Sequence, residues 1–382
     1  MLFNSFEFIA LFLPITAVLY FLCVRYFGIE SAIGVLVVAS LFFYAYWNPI
    51  YIVLILISIA VNYFFGTRLL SGDERSSKFF LAVGVSINLL LLGYFKYANF
   101  FVENVNALSG TDFHLKTIVL PLAISFFTFQ QISYLVDAKQ GKTSEYNFLH
   151  YCLFVCFFPQ LIAGPIVHHK EMLPQFARSN ALSPRWSNVA IGLSIFAIGL
   201  FKKTVIADSL SRYVGPVYDD PAAAASLDFF VAWGSTLAYT FQLYFDFSGY
   251  SDMAIGSARI FGITLPVNFF SPYKAVNIID FWRRWHITLS RFLRDYLYIP
   301  LGGSRGGKAR RYGNLLVTML LGGLWHGAGW TFVIWGALHG AYLVINHGWR
   351  RLLDVIGFKH TSTVVYRAFS WSITTQSRLK AV

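Results

Sequence analysis

The chain has 382 residues, of which 57% are hydrophobic and only 13% carry a charge. A water-soluble domain carries about 25% charged residues, so this composition excludes an ordinary soluble protein and favours one polytopic, all-α membrane domain. The net charge of +12 is typical of a membrane protein with basic cytoplasmic loops, and we predict no nucleic-acid partner.

The N-terminal segment is predicted to remain in place as the first membrane span. A cleavable signal begins with basic residues, whereas this chain begins MLFNSFE and carries an acid instead. A spanning helix needs about 20 mostly apolar residues, and residues 8–24 form the first such run.

Further spans follow in chain order. Residues 32–67 are uncharged but too long for one span, and Asn48-Pro49 divides them because proline and its predecessor resist helix continuation. We then predict spans at residues 79–95, 117–136, 146–165, 186–201 and 229–245. Residues 312–349 hold about two more spans, which their glycines separate.

The topology of residues 146–207 stays open. Basic loops place Arg25, residues 68–78 and Lys139 in the cytoplasm if the N-terminus lies outside. The sequence FPQLIAGP at 158–165 contains two prolines and a glycine, so residues 146–165 either cross fully or form a broken, re-entrant element. Such backbone is tolerated at membrane depth only where protein or a cavity surrounds it.

The most basic segment, residues 274–311, carries nine lysines and arginines against two aspartates. Within it, residues 280–293 predict one amphipathic helix, because five mostly apolar side chains fall on one side at helical spacing. Those side chains are Phe281, Trp285, Thr288, Leu289 and Phe292. The helix suits either anionic lipid head groups or a phosphorylated donor such as coenzyme A, since arginine matches phosphate oxygens. The candidate phosphate ligands are Arg283, Arg284, Arg291 and Arg294.

One histidine, His326, lies in the middle of the uncharged stretch 312–349. A titratable ring in lipid usually faces a cavity or a partner, and imidazole is a natural general base near neutral pH. His286 is a second candidate, although a lone helical histidine is more often structural. His339 is expected to satisfy a helix contact, and we predict no metal site among the histidines or the three cysteines.

Two acidic residues, Asp246 and Asp252, need cationic or hydrogen-bond partners in their weakly polar setting. We expect arginines of the basic segment to pair with them. The chain contains no P-loop or HExxH sequence.

Several motifs together resemble the membrane-bound O-acyltransferase family, and most closely its bacterial branch that contains the membrane subunit of alginate O-acetyltransferase. They are FWRRWHITLS at 281–290, FLRDYLYIPLGG at 292–303, WHG at 325–327, PQLIAGPI at 159–166 and YFDFSGYSDMA at 244–254. The resemblance covers about residues 1–352, which we expect to form one domain. Residues 353–382 are expected to be a divergent or truncated tail.

The resemblance implies a ring of tilted transmembrane helices around a central tunnel, with re-entrant and interfacial helices. It assigns the active-site histidine to His326 and the second polar position to His286. It further implies a multi-pass protein of the bacterial inner membrane. Such a protein would take acetyl from cytoplasmic acetyl-CoA and pass it, through a periplasmic acetyltransferase partner, to an exported, alginate-like polysaccharide.

Two other functions remain open beside the one that the resemblance favours. One is acyl transfer in peptidoglycan or teichoic acid modification. The other is a transporter or lipid-binding scaffold without chemistry, because an intramembrane histidine, broken helices and a basic interface suit that function too.

Overall fold

The computed structural model describes residues 1–71, 73–116, 118–143, 147–176, 185–219 and 227–357. Every regular element within those ranges is helical, which confirms the predicted all-α class. Among the described residues, four helical stretches are long and apolar enough to cross a membrane, judged by length and composition: Glu7–Tyr26, Tyr51–Leu70, Glu74–Ser109 and Trp186–Tyr218.

The first predicted spans are confirmed as helices. A π-helical turn, Glu7–Phe12, leads into α1 (Leu13–Tyr26), followed by α2 (Ile29–Ala45) and α3 (Tyr51–Ser71). The break between α2 and α3 contains Asn48-Pro49, as predicted. The Asn48 side chain accepts a hydrogen bond from the Ile50 N–H (3.2 Å), which satisfies a backbone donor at the start of the next helix.

The next two elements differ from their predicted bounds. Helix α4 (Glu74–Leu92) continues through a π-helical turn, Gly93–Tyr97, into α5 (Ala98–Ser109), so it runs well past residue 95. Helix α6 (Ile124–Lys139) begins seven residues later than predicted, because it starts only after Ala123 with its left-handed φ of 62°.

A broken helix occupies residues 148–161, in agreement with the FPQLIAGP sequence. Helix α7 (Phe148–Cys156) and the short α8 (Phe158–Leu161) are separated at Phe157, and α9 (His169–Phe176) follows. The Phe158 N–H donates to Ser40 Oγ (3.0 Å), so the interrupted backbone finds a buried partner. Whether residues 146–165 cross the bilayer or re-enter it stays open, and residues 177–184 lie outside the described residues.

The remaining helices are longer or more broken than the sequence predicts. Helix α10 (Trp186–Phe201) matches its predicted bounds, then continues through a π-helical turn, Lys202–Ala207, into α11 (Asp208–Tyr218). The later helices are α12 (Phe229–Ile260), α13 (Ile278–Trp282), α14 (Ile287–Leu293) with the π-helical turn Arg294–Tyr298, α15 (Lys308–His326) and α16 (Trp330–Val355). The last two confirm that residues 312–349 hold two helices separated at glycines.

The chain divides into two compact units. The first comprises Met1–Ile198 with Asp252–Pro266, and the second comprises Gly199–Ser251 with the described part of Val267–Val382. Buried aromatic rings fill the core of the first unit; for example, the rings of Phe12 and Phe158 meet edge to face at 5.1 Å. The candidate site residues lie in the second unit. A single domain over residues 1–352 stays a prediction, and residues 358–382 of the predicted tail lie outside the described part.

Glycines allow two helix backbones to touch inside the first unit. A Cβ atom added at Gly256 of α12 would lie 2.6 Å from the Gly192 carbonyl oxygen of α10. A Cβ added at Gly192 would lie 2.7 Å from the Gly256 carbonyl oxygen in turn. The two positions therefore have no room for a larger side chain.

Candidate active site

The predicted single helix over residues 280–293 is wrong. Helix α13 ends at Trp282, α14 begins at Ile287, and His286 between them has φ 41° and ψ 55°. A neighbouring segment supplies the reason, because the Phe270 N–H donates to the Arg284 carbonyl and the Ile287 N–H donates to the Asn268 carbonyl, each at 2.9 Å. Those bonds replace helix hydrogen bonds and turn the chain at His286.

The turn buries the His286 ring in the second unit. Its Nδ1 lies 3.1 Å from Asn268 Oδ1, and the ring packs edge-on against Phe247 with centroids 4.9 Å apart. The other ring nitrogen, Nε2, is buried without a hydrogen-bond partner among the described residues. Burial, and secondarily the nearby His326, lowers the pKa of His286 to about 3, so the ring is neutral at physiological pH.

His326 is the last residue of α15, and its side chain is exposed. Its ring packs against the indoles of Trp325 (4.9 Å) and Trp335 (5.0 Å). The His286 ring contacts the same Trp325 indole at 6.3 Å. The structure therefore brings the two histidines that the sequence singled out into contact with one aromatic side chain, Trp325.

His339 forms part of the aromatic wall beside this pair, and it makes a helix contact as predicted. It is buried, and its ring lies 4.4 Å from Trp335 and 5.3 Å from Trp282. Because Trp335 also touches His326, the wall links the end of α15 to α13 and α16 within this unit.

The four arginines that are candidate phosphate ligands differ in their exposure and in whether a carboxylate already pairs with them. Arg284 pairs with Asp280 at 3.0 Å, and Arg294 makes a two-pronged pair with Asp295 at 2.7 and 3.1 Å. Arg291 is half-buried, whereas Arg283 is exposed at the break, with no ion pair within the described ranges. Arg283 therefore differs from Arg284 and Arg294, which carboxylates already bind.

Asp246 does not pair with the basic segment, contrary to the sequence-based expectation. It lies 2.6 Å from Lys203 Nζ, which also contacts Asp208 at 2.7 Å. The cause is close packing at Gly249, where an added Cβ would lie 2.7 Å from the Gly199 carbonyl oxygen. That approach places Lys203 beside α12, within ion-pair distance of Asp246.

The glycine-rich loop at residues 302–307 has a defined conformation. Its four glycines all have positive φ, and Asn314 Nδ2 donates to the Gly303 carbonyl at 2.9 Å. The Arg310 guanidinium lies over the loop, 3.3 Å from where a Cβ of Gly302 would be. Glycine is needed here for the backbone conformation.

Sequence reasoning missed Asn268. This side chain is fully buried and touches the candidate histidine directly. The available signal was an amide in the short apolar stretch after Pro266, because a buried amide must find hydrogen-bond partners. Within the described ranges, no three His, Cys, Asp or Glu side chains gather as ligands for one metal ion.

Comparison with known proteins gives consistent matches. The family model described as MBOAT, membrane-bound O-acyltransferase family, matches residues 88–379. The chain is 49% identical over 376 residues to a peptidoglycan O-acetyltransferase of Helicobacter pylori, covering 91% of this chain and 71% of that protein.

Two further relatives extend the comparison. A probable alginate O-acetylase of Azotobacter vinelandii is 44% identical, with 92% of this chain and 69% of that protein covered. A teichoic acid D-alanyltransferase of Bacillus subtilis is 30% identical, with 57% and 56% covered.

Proposed function

Because this chain belongs to the membrane-bound O-acyltransferase family, we propose that it moves an acetyl group from cytoplasmic acetyl-CoA across the membrane for O-acetylation of an exported polysaccharide. The chain is an O-acyltransferase and a multi-pass membrane protein. The observation that carries the proposal is the contact of both His286 and His326 with one indole, Trp325.

The acceptor is an alcohol of a sugar polymer. An alginate-like polysaccharide is our first choice, supported by relatives named as probable alginate O-acetylases. Peptidoglycan is the second candidate, supported by the 49% identical relative named as a peptidoglycan O-acetyltransferase. Both acceptors lie outside the cytoplasm, so we place the protein in the bacterial inner membrane with a tunnel between the two sides and a periplasmic partner that receives the acetyl group.

The proposed reaction uses His326 as general base. Its imidazole takes the proton of the acceptor hydroxyl, and the oxygen attacks the thioester carbonyl carbon. Collapse of the tetrahedral intermediate breaks the carbon–sulfur bond, and the sulfur leaves with the proton that the imidazolium returns. The products are an O-acetyl ester and free coenzyme A, so atoms and charge balance. Base assistance of this kind contributes roughly 10²–10⁴-fold to a rate.

The donor is an acyl-CoA-type thioester, as is general for this family. We propose acetyl-CoA itself, with Arg283 as the first phosphate ligand and Arg284, Arg291 and Arg294 around it. The exposed side chain of Arg283 and the basic charge of residues 274–311 support this assignment.

The test uses the purified full chain with radiolabelled acetyl-CoA. His326→Ala should lower acetyl transfer by about 10²-fold or more, while expression and membrane insertion persist. The matched control is His114→Ala, since His114 is an exposed histidine that pairs only with Asp112 at 3.0 Å among the described contacts. Retained transfer by His326→Ala would reject the assigned role. Substrate flux without release of coenzyme A would favour the transporter instead.

A further inference from the structure

We propose that Asn268 is a positioning residue that fixes His286 in one tautomer, with the proton on Nδ1 and the lone pair on Nε2. His286 then meets the substrate, or His326, only as an acceptor of hydrogen. The inference deepens the proposed function and rests on it for its catalytic meaning, whereas the tautomer itself is a property of the folded chain.

The orientation of the Asn268 amide follows from its neighbours. Asn268 Oδ1 accepts hydrogen bonds from the Thr288 N–H (3.3 Å) and the Thr288 hydroxyl (2.9 Å). The amide Nδ2 donates to Ser251 Oγ at 3.3 Å. A backbone N–H can only donate, so the amide oxygen, and not the nitrogen, must face Thr288. The same oxygen lies 3.1 Å from His286 Nδ1.

The tautomer of His286 follows from that orientation. An amide oxygen has only lone pairs to offer, so Nδ1 must carry the hydrogen. A neutral imidazole with its proton on Nδ1 has a bare lone pair on Nε2. That nitrogen is buried with no hydrogen-bond partner in the described part of the chain, in a ring that is 1% exposed. A buried acceptor without a partner is unusual in a folded protein and points to a ligand that supplies the hydrogen.

Backbone contacts keep the His286 ring in place. The Asn268 carbonyl accepts from the Ile287 N–H at 2.9 Å, so both the main chain and the side chain of Asn268 hold the turn that carries His286. Edge-on packing against Phe247 and Phe269 (centroids 4.9 and 6.2 Å) limits ring rotation. The lone pair therefore has a fixed direction.

This arrangement restricts what His286 can do. A lone pair cannot polarise the thioester carbonyl, because that requires a donated hydrogen bond. It can accept the hydrogen of an incoming hydroxyl. It can also accept the N–H hydrogen of His326, which keeps the other ring nitrogen of His326 basic. Loss of the fixed tautomer would leave the ring in place with a donor on Nε2, which is the wrong chemistry for either role.

The experiment measures the tautomer directly on the full-length protein in lipid. Solid-state nitrogen NMR of histidine-labelled protein distinguishes Nδ1–H from Nε2–H, and His286→Gln identifies the signal. In the wild type, His286 should show the proton on Nδ1. In Asn268→Leu it should show a mixture of tautomers, and kcat should fall by about 10²-fold or more with little change in KM. Ser257→Ala, which removes a buried hydroxyl of helix α12 that donates to the Met253 carbonyl, should change neither.

A second variant covers the case in which Asn268→Leu does not fold. Asn268→Asp keeps an acceptor oxygen opposite His286 and should keep the proton on Nδ1. Its carboxylate favours the imidazolium, so the pH at which the His286 nitrogen signals change to those of the imidazolium should rise by about one unit or more. A purely structural asparagine would not produce that shift.

The outcomes separate the two proposals. An unchanged His286 spectrum in Asn268→Leu, or an unmoved titration of the His286 nitrogen signals in Asn268→Asp, overturns the positioning role. A wild-type protein that shows the expected tautomer but transfers no acetyl group overturns the proposed function and leaves the tautomer assignment intact.

Discussion

At the scale of single residues, four arginines that look equivalent in the sequence have different surroundings in the structure. Asp280 and Asp295 hold Arg284 and Arg294, whereas Arg283 is exposed at the turn before His286. A guanidinium that is already bound to a carboxylate must release it before it binds phosphate. The sequence gives residue types but not these pairings, because they depend on which side chains the broken helix brings together.

We expect Arg283→Gln to raise the KM for acetyl-CoA by about tenfold with little change in kcat. A charge-assisted hydrogen bond contributes roughly 1.5–3 kcal/mol, and its loss weakens donor binding without touching the reacting atoms. Arg25→Gln is the control, since Arg25 is an exposed arginine of the first unit that stacks on Tyr26. An unchanged KM in Arg283→Gln would exclude it as a phosphate ligand. Steady-state kinetics at varied donor concentration measures the effect.

At the scale of helices, hydrophobic runs predicted most of the elements but not their interruptions by tertiary contacts. The division at Asn48-Pro49 and the glycine break before Trp330 were visible, because proline and glycine act locally. The break at His286 was not visible, since it depends on hydrogen bonds from Asn268 and Phe270, which are distant in sequence. The candidate site was therefore predictable in its histidines but not in the residue that orients one of them.

Two glycines of helix α12 provide a matched test of helix packing. Gly256→Ala should lower the melting temperature of the purified protein, because the new Cβ would lie 2.6 Å from the Gly192 carbonyl oxygen. Overpacking of this kind costs about 1–3 kcal/mol. Gly234→Ala in the same helix should leave stability unchanged or slightly higher, since no atom lies within 4 Å of the added Cβ. Equal melting temperatures for both variants would contradict the close approach of the two backbones.

At the scale of the whole molecule, the composition alone determined the class of protein. With 13% charged residues and four long apolar helices, the chain is built for lipid, and its basic excess suits cytoplasmic loops and an anionic donor. The polymer and the partner are not encoded in any pattern that hydropathy or helix periodicity can reveal. They depend on surfaces at the outer end of the proposed tunnel.

Sidedness gives the test at this scale. In proteoliposomes with one orientation, acetyl-CoA supplied on the cytoplasmic face should acetylate a soluble alcohol that replaces the partner as acceptor on the opposite face. Donor supplied on the acceptor side alone should give at most about a tenth of that rate, because the phosphates cannot enter through lipid. Vesicles that contain the His326→Ala variant give the background rate of acetyl transfer. Equal rates from both sides would contradict transfer across the membrane.

The left-handed backbone of His286 affects how its variants should be interpreted. A residue with a Cβ pays a penalty of roughly 1–2 kcal/mol in this conformation, and asparagine tolerates it better than most. The substitution His286→Ala would thus remove the imidazole and strain the turn at once. A loss of activity in that variant could come from either cause. Asparagine, which deletes the ring but suits the turn, separates loss of chemistry from loss of shape and is the informative replacement here.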